Sequence, residues 1–316
     1  MKPLKDNVAV VAGATRGAGR GIACALGEAG ATVYCTGRSV RAAPSPIRRP
    51  EAIEETAEMV SARGGTGIWA QLDHREPDEV RALFKRVGAE RGRLDLLVNN
   101  LSGDQYLTDG MLSGREPVPF WEYPVEKGLE TQRNGVHTHL IASYCAAPQM
   151  LKRRGGLIVE ITDGNRLAYN DVGVYYSLSK TSLVLLAYLM SEELKQHGIA
   201  VVSLTPGWLR SEAMLESFGV TEENWRDAVP EHPGFEMSET PLYIGRAVVA
   251  LATDPRVMRR TGRALSAGYL AQAYGFTDAD GRQPPGYAYA GIDVREGLFK
   301  DGRFLSSQDE LVTKSA

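Results

Sequence analysis

The sequence has few cysteines and no long apolar run, and both shortages exclude classes of protein. Its three cysteines, Cys24, Cys35 and Cys145, are widely spaced and form no CxxC pair. This argues against a disulfide framework and against a cysteine-rich zinc site. The apolar run at 183–190 is too short to cross a bilayer, since a spanning helix needs about 20 residues. The N-terminus lacks a signal-peptide pattern, so we expect a cytoplasmic protein without a membrane partner.

The sequence also lacks an excess of basic charge and an obvious cluster of metal ligands. It contains 36 Lys and Arg against 39 Asp and Glu, a net charge of -3. Nucleic-acid-binding surfaces usually require a positive excess, so we expect a small-molecule substrate and no nucleic-acid partner. His137 and His139 are two residues apart in a predicted helix. They should therefore face nearly opposite sides and share no metal.

Short valine-rich runs alternate with longer, helix-like stretches along most of the chain. The strand-like runs lie at 7–13, 31–37, 65–73, 94–100, 156–162 and 199–206. The helix-like stretches lie at 18–29, 51–63, 77–91, 126–153, 175–197 and 240–252. This alternation predicts an α/β protein with a doubly wound parallel sheet, the Rossmann fold, and helices on both faces.

Two long loops interrupt the alternation, at 101–125 and 207–239. Both follow predicted strands, and doubly wound sheets bind ligands beyond the carboxyl ends of their strands. We therefore expect both loops to cover the substrate. Their aromatic residues would either line an apolar pocket or pack within the loops. We predict one domain over 1–270 and a C-terminal extension over 271–316 that packs on the body or on a second subunit.

The segment "GATRGAGRG" lies between the first predicted strand and the first predicted helix. Its glycines allow the backbone to approach a pyrophosphate, whose charge then lies at the N-terminus of the helix. The segment therefore predicts dinucleotide binding. The contacts expected in this loop are Gly13, Thr15, Arg16, Gly17, Ala18 and Gly19.

The end of the second predicted strand indicates which dinucleotide is preferred. Enzymes that bind the ribose 2'-hydroxyl usually place an acid there, whereas this sequence reads "CTGRS" with Arg38. Arg16 in the glycine loop supplies a second guanidinium. Two such groups suit a 2'-phosphate, so we expect NADP(H) to be preferred, with NAD(H) possible.

Tyr176 and Lys180 are four residues apart in a predicted helix, so they lie on one face, one turn from each other. A phenol ionises near pH 10 in water, too high for proton transfer at neutrality. A neighbouring ammonium favours the phenolate and brings the group toward the working range. The pair therefore predicts acid/base chemistry. Tyr175 has Ser179 at the equivalent position and lacks such a partner.

These segments together resemble the short-chain dehydrogenase/reductase family. The resemblance is carried by "GATRGAG", by "VNN" at 98–100, by "YSLSK" at 176–180 and by "PGWLRSEAM" at 206–214. It implies a single Rossmann domain with a seven-stranded sheet. It also implies NAD(P)-dependent oxidation or reduction of alcohols and carbonyls, in a homodimer or homotetramer.

The resemblance further implies roles for individual residues. In the catalytic centre, Tyr176 would be the general acid/base, Lys180 would bind the nicotinamide ribose, and Asn134 would support a proton-relay water. Further cofactor contacts implied in the same way are Asp73, His74, Asn99, Pro206, Gly207 and Ser211.

Asp163 departs from the family pattern, which has a serine at this position. An ionised carboxylate cannot donate a hydrogen bond to a substrate oxygen. At about 4 Å and an effective dielectric of about 20 it would oppose a developing negative charge by roughly 4 kcal/mol, or about a thousandfold in rate. The side chain could be protonated and donate as serine does. It could instead point away, or face a cationic substrate such as an iminium.

The sequence therefore favours an NADP(H)-dependent oxidoreductase acting on an apolar carbonyl or alcohol, with Tyr176 moving the proton and Asp163 modifying the serine role. Two alternatives stay open. One is a reductase of imine or iminium substrates. The other is a catalytically silent module that binds NADP(H).

Overall fold

The computed structural model of the chain describes residues 2–43, 49–102, 118–163, 173–286 and 292–293. Most of the first predicted loop (103–117) and the tail beyond 293 lie outside the described residues. The elements of the first half are β1 Val8–Ala12, α1 Gly17–Glu28, β2 Thr32–Gly37, α2 Ile53–Ala62, β3 Thr66–Gln71, α3 Pro77–Arg91 and β4 Leu96–Asn99.

The second half continues the alternation of strands and helices. Its elements are α4 Val125–Gln132, α5 Thr138–Arg153, β5 Gly156–Ile161, α6 Val174–Leu194, β6 Ile199–Thr205, α7 Glu212–Ser217, α8 Pro241–Thr253, β7 Arg263–Ser266, α9 Ala267–Tyr274 and β8 Ile292–Asp293. The ends follow local chemistry. Helix α3 begins with Pro77 in its first turn and ends at Arg91, and the following Gly92 has a φ of 67° in the left-handed region.

The strands form one sheet in the order β3-β2-β1-β4-β5-β6-β7-β8. Strands β1 to β7 are parallel, which confirms the predicted doubly wound sheet of seven strands. The two-residue β8 adds an antiparallel edge beside β7. The strand order reverses between β1 and β4, so the ligand crevice of such a sheet lies beyond their carboxyl ends.

The central strands β1, β4, β5 and β6 are buried and mostly apolar, because helices cover both faces of the sheet there. In β1, Ala9 and Val11 pack into one cluster, with α1 and α8. Val8 and Val10 pack into the other, with α3, α5 and α6. Each fully buried valine of this kind contributes roughly 1.5–3 kcal/mol relative to an exposed one. Because alternate residues of β1 are buried on opposite faces, the strand cannot shift by one residue, and the carboxyl ends of the strands stay aligned.

The stretch at 126–153 differs from the single helix expected from sequence. Helix α4 ends at Gln132, and a π-helical turn over Arg133–His137 separates it from α5. A π-turn adds one residue to the helical repeat, so it rotates the side chains that follow. His137 is exposed and His139 is buried, so the two rings lie on different sides of the helix.

Residues 207–240, called the lid segment below, follow the carboxyl end of β6 and reach the N-terminus of α1, where the Gly17 N–H donates to Glu212. The aromatic residues of this segment pack on one another: Trp208, Phe218, Trp225 and Phe235 form a small apolar cluster. The sequence left open whether these aromatic side chains line a pocket or pack within the loop, and the structure shows that they pack within the loop. They form the lid segment's own core.

The chain after β7 remains packed on the body beyond residue 270. Helix α9 runs through that position to Tyr274, and Asp278 is buried against Thr240 at the end of the lid segment. In the part of the chain that the structure describes, no helix is long and apolar enough to cross a membrane.

Candidate active site

Tyr176 and Asp163 meet at the carboxyl end of β5. Tyr176 lies in the first turn of α6, and its hydroxyl donates a hydrogen bond of 2.6 Å to Asp163 Oδ2. Thr162 Oγ1 donates to the carbonyl oxygen of Lys180 at 2.7 Å and so ties α6 to the end of β5. Asp163 therefore faces the tyrosine, and the alternative in which its side chain points away is wrong for this structure.

Lys180 lies one turn beyond Tyr176 on the same face of α6. Its Nζ is 5.3 Å from the centroid of the Tyr176 ring. The helical spacing therefore brings an ammonium, a phenol and a carboxylate together, as Lys180, Tyr176 and Asp163. This set can share and move protons.

Asn134 lies in the π-turn, and its carbonyl oxygen accepts a hydrogen bond of 2.6 Å from Thr138 Oγ1. Helix α4 packs against α6, where Gln132 Nε2 donates to the carbonyl oxygen of Tyr175 at 2.7 Å. The Tyr175 ring fills the space over Gly128, since a Cβ there would lie 2.3 Å from a ring carbon. Tyr175 is thus a packing residue between helices.

The glycine loop lies against the end of β4 at distances that exclude side chains. Gly13 has a φ of 82°, and a Cβ there would lie 2.6 Å from the carbonyl oxygen of Asn100. A Cβ on Gly19 would lie 2.0 Å from the carbonyl oxygen of Gly13. Asn100 Nδ2 donates to that same oxygen at 3.1 Å. Asn100 was not among the residues expected at the site, yet it supports the loop.

A carboxylate of the lid segment contacts the N-terminus of α1. The Gly17 N–H donates to Glu212 Oε2 at 2.8 Å, and Arg20 Nη1 lies 3.7 Å from Glu212 Oε1. Ser211 Cβ lies 3.6 Å from the position that a Cβ on Gly17 would take. The structure therefore places Ser211 beside the glycine loop, and its contact with the cofactor stays a prediction. Nothing in the local sequence pointed to Glu212.

Both arginines expected near the ribose lie beside carboxylates. Arg16 Nε is 3.2 Å from Glu51 Oε2, and Arg38 Nη1 is 3.8 Å from Asp73 Oδ2. The Arg16 approach lacks hydrogen-bond geometry, so its buried Nε and Nη2 have no hydrogen-bond acceptor among the described residues. Burial lowers the pKa of Arg16. Buried donors of this kind favour an anion.

Glu51 and Asp73 are themselves held ionised by other arginines. Burial would raise the pKa of Glu51, but hydrogen bonds from Arg49 hold it below its usual value. Burial likewise opposes ionisation of Asp73, and hydrogen bonds from Arg75 hold its pKa low. The adenosine end of the proposed site therefore alternates positive and negative side chains.

His74 and Asn99 direct their side chains into the protein. His74 Nε2 lies 2.8 Å from Thr36 Oγ1, which donates to the carbonyl oxygen of Val11. Nε2 must then carry the proton, and burial lowers the pKa of His74 to about 3, so the ring is neutral. Asn99 Nδ2 donates to Glu160 Oε1 at 2.8 Å.

Glu160 belongs to a fully buried polar network that was not expected from sequence. Its Oε2 lies 2.5 Å from His139 Nδ1, and His139 Nε2 lies 2.8 Å from the carbonyl oxygen of Leu101. A carbonyl oxygen only accepts hydrogen bonds, so Nε2 of His139 carries a proton. The hydrogen bond between Nδ1 and Glu160 holds a second proton, so the His139–Glu160 pair has no net charge. A glutamate inside the apolar run "GLIVEIT" was the available signal, since a buried charge requires a partner.

The residues of this edge fit a nicotinamide dinucleotide. The side-chain-free glycine loop allows close approach of a pyrophosphate, and the N-terminus of α1 attracts its charge. The buried Arg16 nitrogens lack hydrogen-bond acceptors among the described residues. Gly13, Gly17 and Gly19 would hold the pyrophosphate, while Arg16 and Arg38 would face the ribose.

A sequence profile described as short chain dehydrogenase matches residues 7–219. The chain is 35% identical over 299 residues to dehydrogenase/reductase SDR family member 1 of Mus musculus, covering 94% of this chain and 90% of that protein. It is 36% identical over 289 residues to the Homo sapiens protein of the same name, covering 90% and 87%. Both similarities extend well beyond the matched profile.

Two solved structures share the fold. A metagenomic short-chain oxidoreductase in complex with NADP matches with a TM-score of 0.60 and 24% identity, over 80% of this chain and 92% of that one. A short chain dehydrogenase from Mycobacterium paratuberculosis bound to NAD matches with a TM-score of 0.64 and 21% identity, over 84% and 96%. Chains of this fold therefore bind either dinucleotide.

Proposed function

The chain belongs to the short-chain dehydrogenase family of oxidoreductases, and we propose that it transfers hydride between NADP(H) and an apolar carbonyl or alcohol. The observation that carries this proposal is the contact of Tyr176 with Asp163 beside Lys180, on the same sheet edge as the glycine loop. When bound, the nicotinamide supplies or takes up the hydride. The residues of the chain bind, orient and move the proton.

The preference for NADP(H) rests on the cations of the adenosine end. Strand β2 ends in Gly37 and is followed by Arg38, without the acid that would accept the ribose 2'-hydroxyl. Arg16 offers buried nitrogens that a 2'-phosphate would satisfy. Arg16→Ala should weaken NADPH binding more than NADH binding. Equal losses for the two dinucleotides would contradict the preference.

Tyr176 is the proposed proton donor and acceptor, and the Lys180 ammonium favours its phenolate electrostatically. The hydroxyl of Tyr176 donates to Asp163, so in this arrangement it does not donate to a substrate. In this arrangement Tyr176 would act through Asp163. Carbonyl reduction would start with both groups protonated: Asp163 passes its proton to the substrate oxygen as the hydride arrives, and the Tyr176 proton moves to Asp163. Alcohol oxidation would be the reverse: the pair starts with one proton, and the substrate's hydroxyl proton passes to it as the hydride leaves.

A cationic substrate is the second candidate, and the same contact favours it. The Asp163 carboxylate faces the proposed reacting tyrosine, where it would stabilise an iminium carbon's positive charge. By Coulomb's law the roughly 4 kcal/mol that opposes an oxyanion at about 4 Å becomes favourable for a cation. Cyclic imines therefore belong among the test substrates.

An apolar substrate is supported by aromatic side chains that border the first long loop. Phe120 and Trp121 are 49% and 72% exposed, more than rings of this size usually are in a folded protein. Exposed aromatic surface on a loop that follows the carboxyl end of β4 would suit an apolar ligand.

We also propose a homodimer or homotetramer. Leu140 and Tyr144 are four residues apart on α5, and both are more than half exposed, as are Leu178 and Leu189 on α6. These exposed apolar side chains would be covered if the two helices formed a subunit interface. Light scattering coupled to gel filtration decides the mass, and a monomer would contradict the proposal.

The first experiment follows NADPH oxidation with a panel of ketones, aldehydes, quinones and cyclic imines, using wild type, Asp163→Ser and Asp163→Asn. If Asp163 limits carbonyl reduction, both variants should reduce ketones faster, since each supplies a neutral donor. Carbonyl turnover by wild type, with no gain in either variant, would instead indicate that Asp163 already donates. Turnover of imines alone supports the iminium candidate. NADPH binding without turnover in any of the three proteins favours the silent module.

A further inference from the structure

Glu239 is a fully buried glutamate near the end of the lid segment, directly before Thr240, which caps the N-terminus of α8. Its Oε2 accepts a hydrogen bond of 2.9 Å from the N–H of Gly207. Its backbone pairs with the same stretch: Arg210 N–H donates to Glu239 O at 2.8 Å, and Glu239 N–H donates to Trp208 O at 2.9 Å. Three hydrogen bonds thus clamp residues 207–210 to Glu239.

The clamp leaves little space around Gly207. A Cβ on Gly207 would lie 2.9 Å from Glu239 Oε2 on one side and 2.8 Å from Gly286 Cα on the other. The turn is therefore confined between the glutamate and the chain that follows α9. A change in the Glu239 carboxyl is transmitted directly to the Gly207 backbone.

The second carboxyl oxygen, Oε1, is buried and has no hydrogen-bond partner among the described residues. One hydrogen bond is too little for a buried carboxylate, which requires several to offset its desolvation. The charged and titratable groups that act on it are Arg210, Asp278 and Tyr243. Burial raises the pKa of Glu239 to about 8. The hydrogen bond from Gly207 and the charge of Arg210 lower this pKa, but by less than burial raises it.

We propose that Glu239 is a positioning residue that sets the Pro206–Gly207 turn for the nicotinamide end of the cofactor. The proposal rests on the proposed function, because that function places the cofactor at this turn. Glu239 acts through the Gly207 N–H, without touching the reacting atoms. Ionisation would place a charge on a buried carboxyl that has a single hydrogen bond, so the segment around Glu239 would open to water, Gly207 would lose its acceptor, and cofactor binding would weaken.

The test measures the Kd of NADPH by its fluorescence between pH 7 and 9.5, for wild type, Glu239→Gln and Glu239→Leu. Glutamine keeps an acceptor for Gly207 but cannot ionise, whereas leucine removes the acceptor. We expect the wild-type Kd to rise about tenfold over this range, as for the loss of one hydrogen bond to a charged group. The Glu239→Gln profile should be flat. Glu239→Leu should bind about tenfold more weakly at every pH.

Glu223→Gln is the matched control, because Glu223 is an exposed acid of the same lid segment. It should reproduce the wild-type profile. A Glu239→Gln profile that rises like wild type, or a Glu239→Leu protein that binds like wild type, would overturn the positioning role.

Amide hydrogen exchange of the peptide that contains Gly207 separates this proposal from the proposed function. Faster exchange at Gly207 in Glu239→Leu without cofactor supports the clamp, and unchanged protection overturns it. If wild type binds neither NADPH nor NADH, the proposed function fails, while the exchange result still decides the clamp.

Discussion

The glycine loop and the lid segment lie on the same edge of the sheet, but different forces fix their shapes. The glycine loop is held by backbone bonds such as Gly13 N–H and Ala14 N–H to Thr36 O, at 3.0 and 2.9 Å, and by contacts that only glycine allows. The lid segment is held by its aromatic core and by buried charges, with Arg210 at the centre of the charges. The backbone conformation of a glycine loop depends on residues that are neighbours in the sequence, whereas a buried charge needs partners from distant segments.

Arg210 shows how far apart those partners are. Its side chain is fully buried, donates to Glu222 at 2.8 Å and to Ser238 O at 2.8 Å, and lies 3.8 Å from Asp278 Oδ2. Its guanidinium also lies 4.4 Å from the centroid of the Trp225 ring. Asp278 joins the chain after α9 to this cluster, so the lid segment and the C-terminal part of the chain share one buried cation.

Removing that cation should have the largest effect on stability. Arg210→Met leaves Asp278 buried without its nearest cation, and breaking a buried pair in this way typically costs about 3–5 kcal/mol. Urea unfolding followed by tryptophan fluorescence measures the loss. Arg226→Met is the matched control, because Arg226 lies at the same 4.4 Å from the Trp225 centroid but is exposed. Equal losses in both variants would assign the stability to the ring contact.

A side chain in the glycine loop should lower both stability and cofactor binding. Gly19→Ala places a Cβ 2.0 Å from the backbone oxygen of Gly13, and such overpacking costs about 1–3 kcal/mol. It should also abolish NADPH binding, since the loop must shift. Gly155→Ala, where a Cβ meets nothing within 4 Å, should change neither property. Tight NADPH binding by Gly19→Ala would show that the loop is less constrained than its contacts indicate.

Glu239 should make the stability of the lid segment depend on pH. In the unfolded chain a glutamate ionises near pH 4.5, while in the folded protein its pKa is about 8. Between these values only the unfolded state loses the proton, so stability falls as pH rises, by about 1.4 kcal/mol per pH unit. Wild type should therefore lose stability relative to Glu239→Gln from pH 5 to 8. Parallel curves for the two proteins would refute this.

The smallest effect, a change in the Kd of NADPH, is expected where the glycine loop and the lid segment meet. Glu212 on α7 places its carboxylate on the Gly17 N–H, at the helix end proposed for the pyrophosphate. Charges at a helix terminus contribute about 0.3–1 kcal/mol. Glu212→Gln should thus lower the Kd of NADPH about two- to fivefold. Glu216→Gln removes an acid from the same helix that contacts Arg49 instead, and should leave the Kd nearly unchanged. A weaker Glu212→Gln complex would mean that the carboxylate supports the bound loop.

The sequence predicted the features that depend on neighbours along the chain. The valine-rich runs indicated strands buried on both faces, and their alternation with helices predicted the parallel order that the structure confirms. The spacing of Tyr176 and Lys180 predicted that they share a helix face, and Lys180 Nζ does lie 5.3 Å from the tyrosine ring centroid. The π-turn between α4 and α5 was missed, since a one-residue insertion hardly disturbs the apolar pattern.

Contacts between distant segments could not be predicted in this way. The direction of the Asp163 side chain was left open, because strand alternation fixes a face but not a partner at the strand's end; the structure turns it to Tyr176. Glu51, Glu212 and Glu239 resemble ordinary surface acids in the sequence. Only folding places them beside Arg16, Gly17 and Gly207.

By itself, the amino-acid sequence determined the sheet, the glycine loop and the shared face of Tyr176 and Lys180, since each follows from the period of a strand or a helix, or from a glycine's freedom. Tertiary structure alone decided which charges are buried and what they face, as for Arg210, Asp163 and Glu239. The physical reason is that an ionisable group depends on its burial and on the groups within a few ångströms, and both are set by segments far away in the chain.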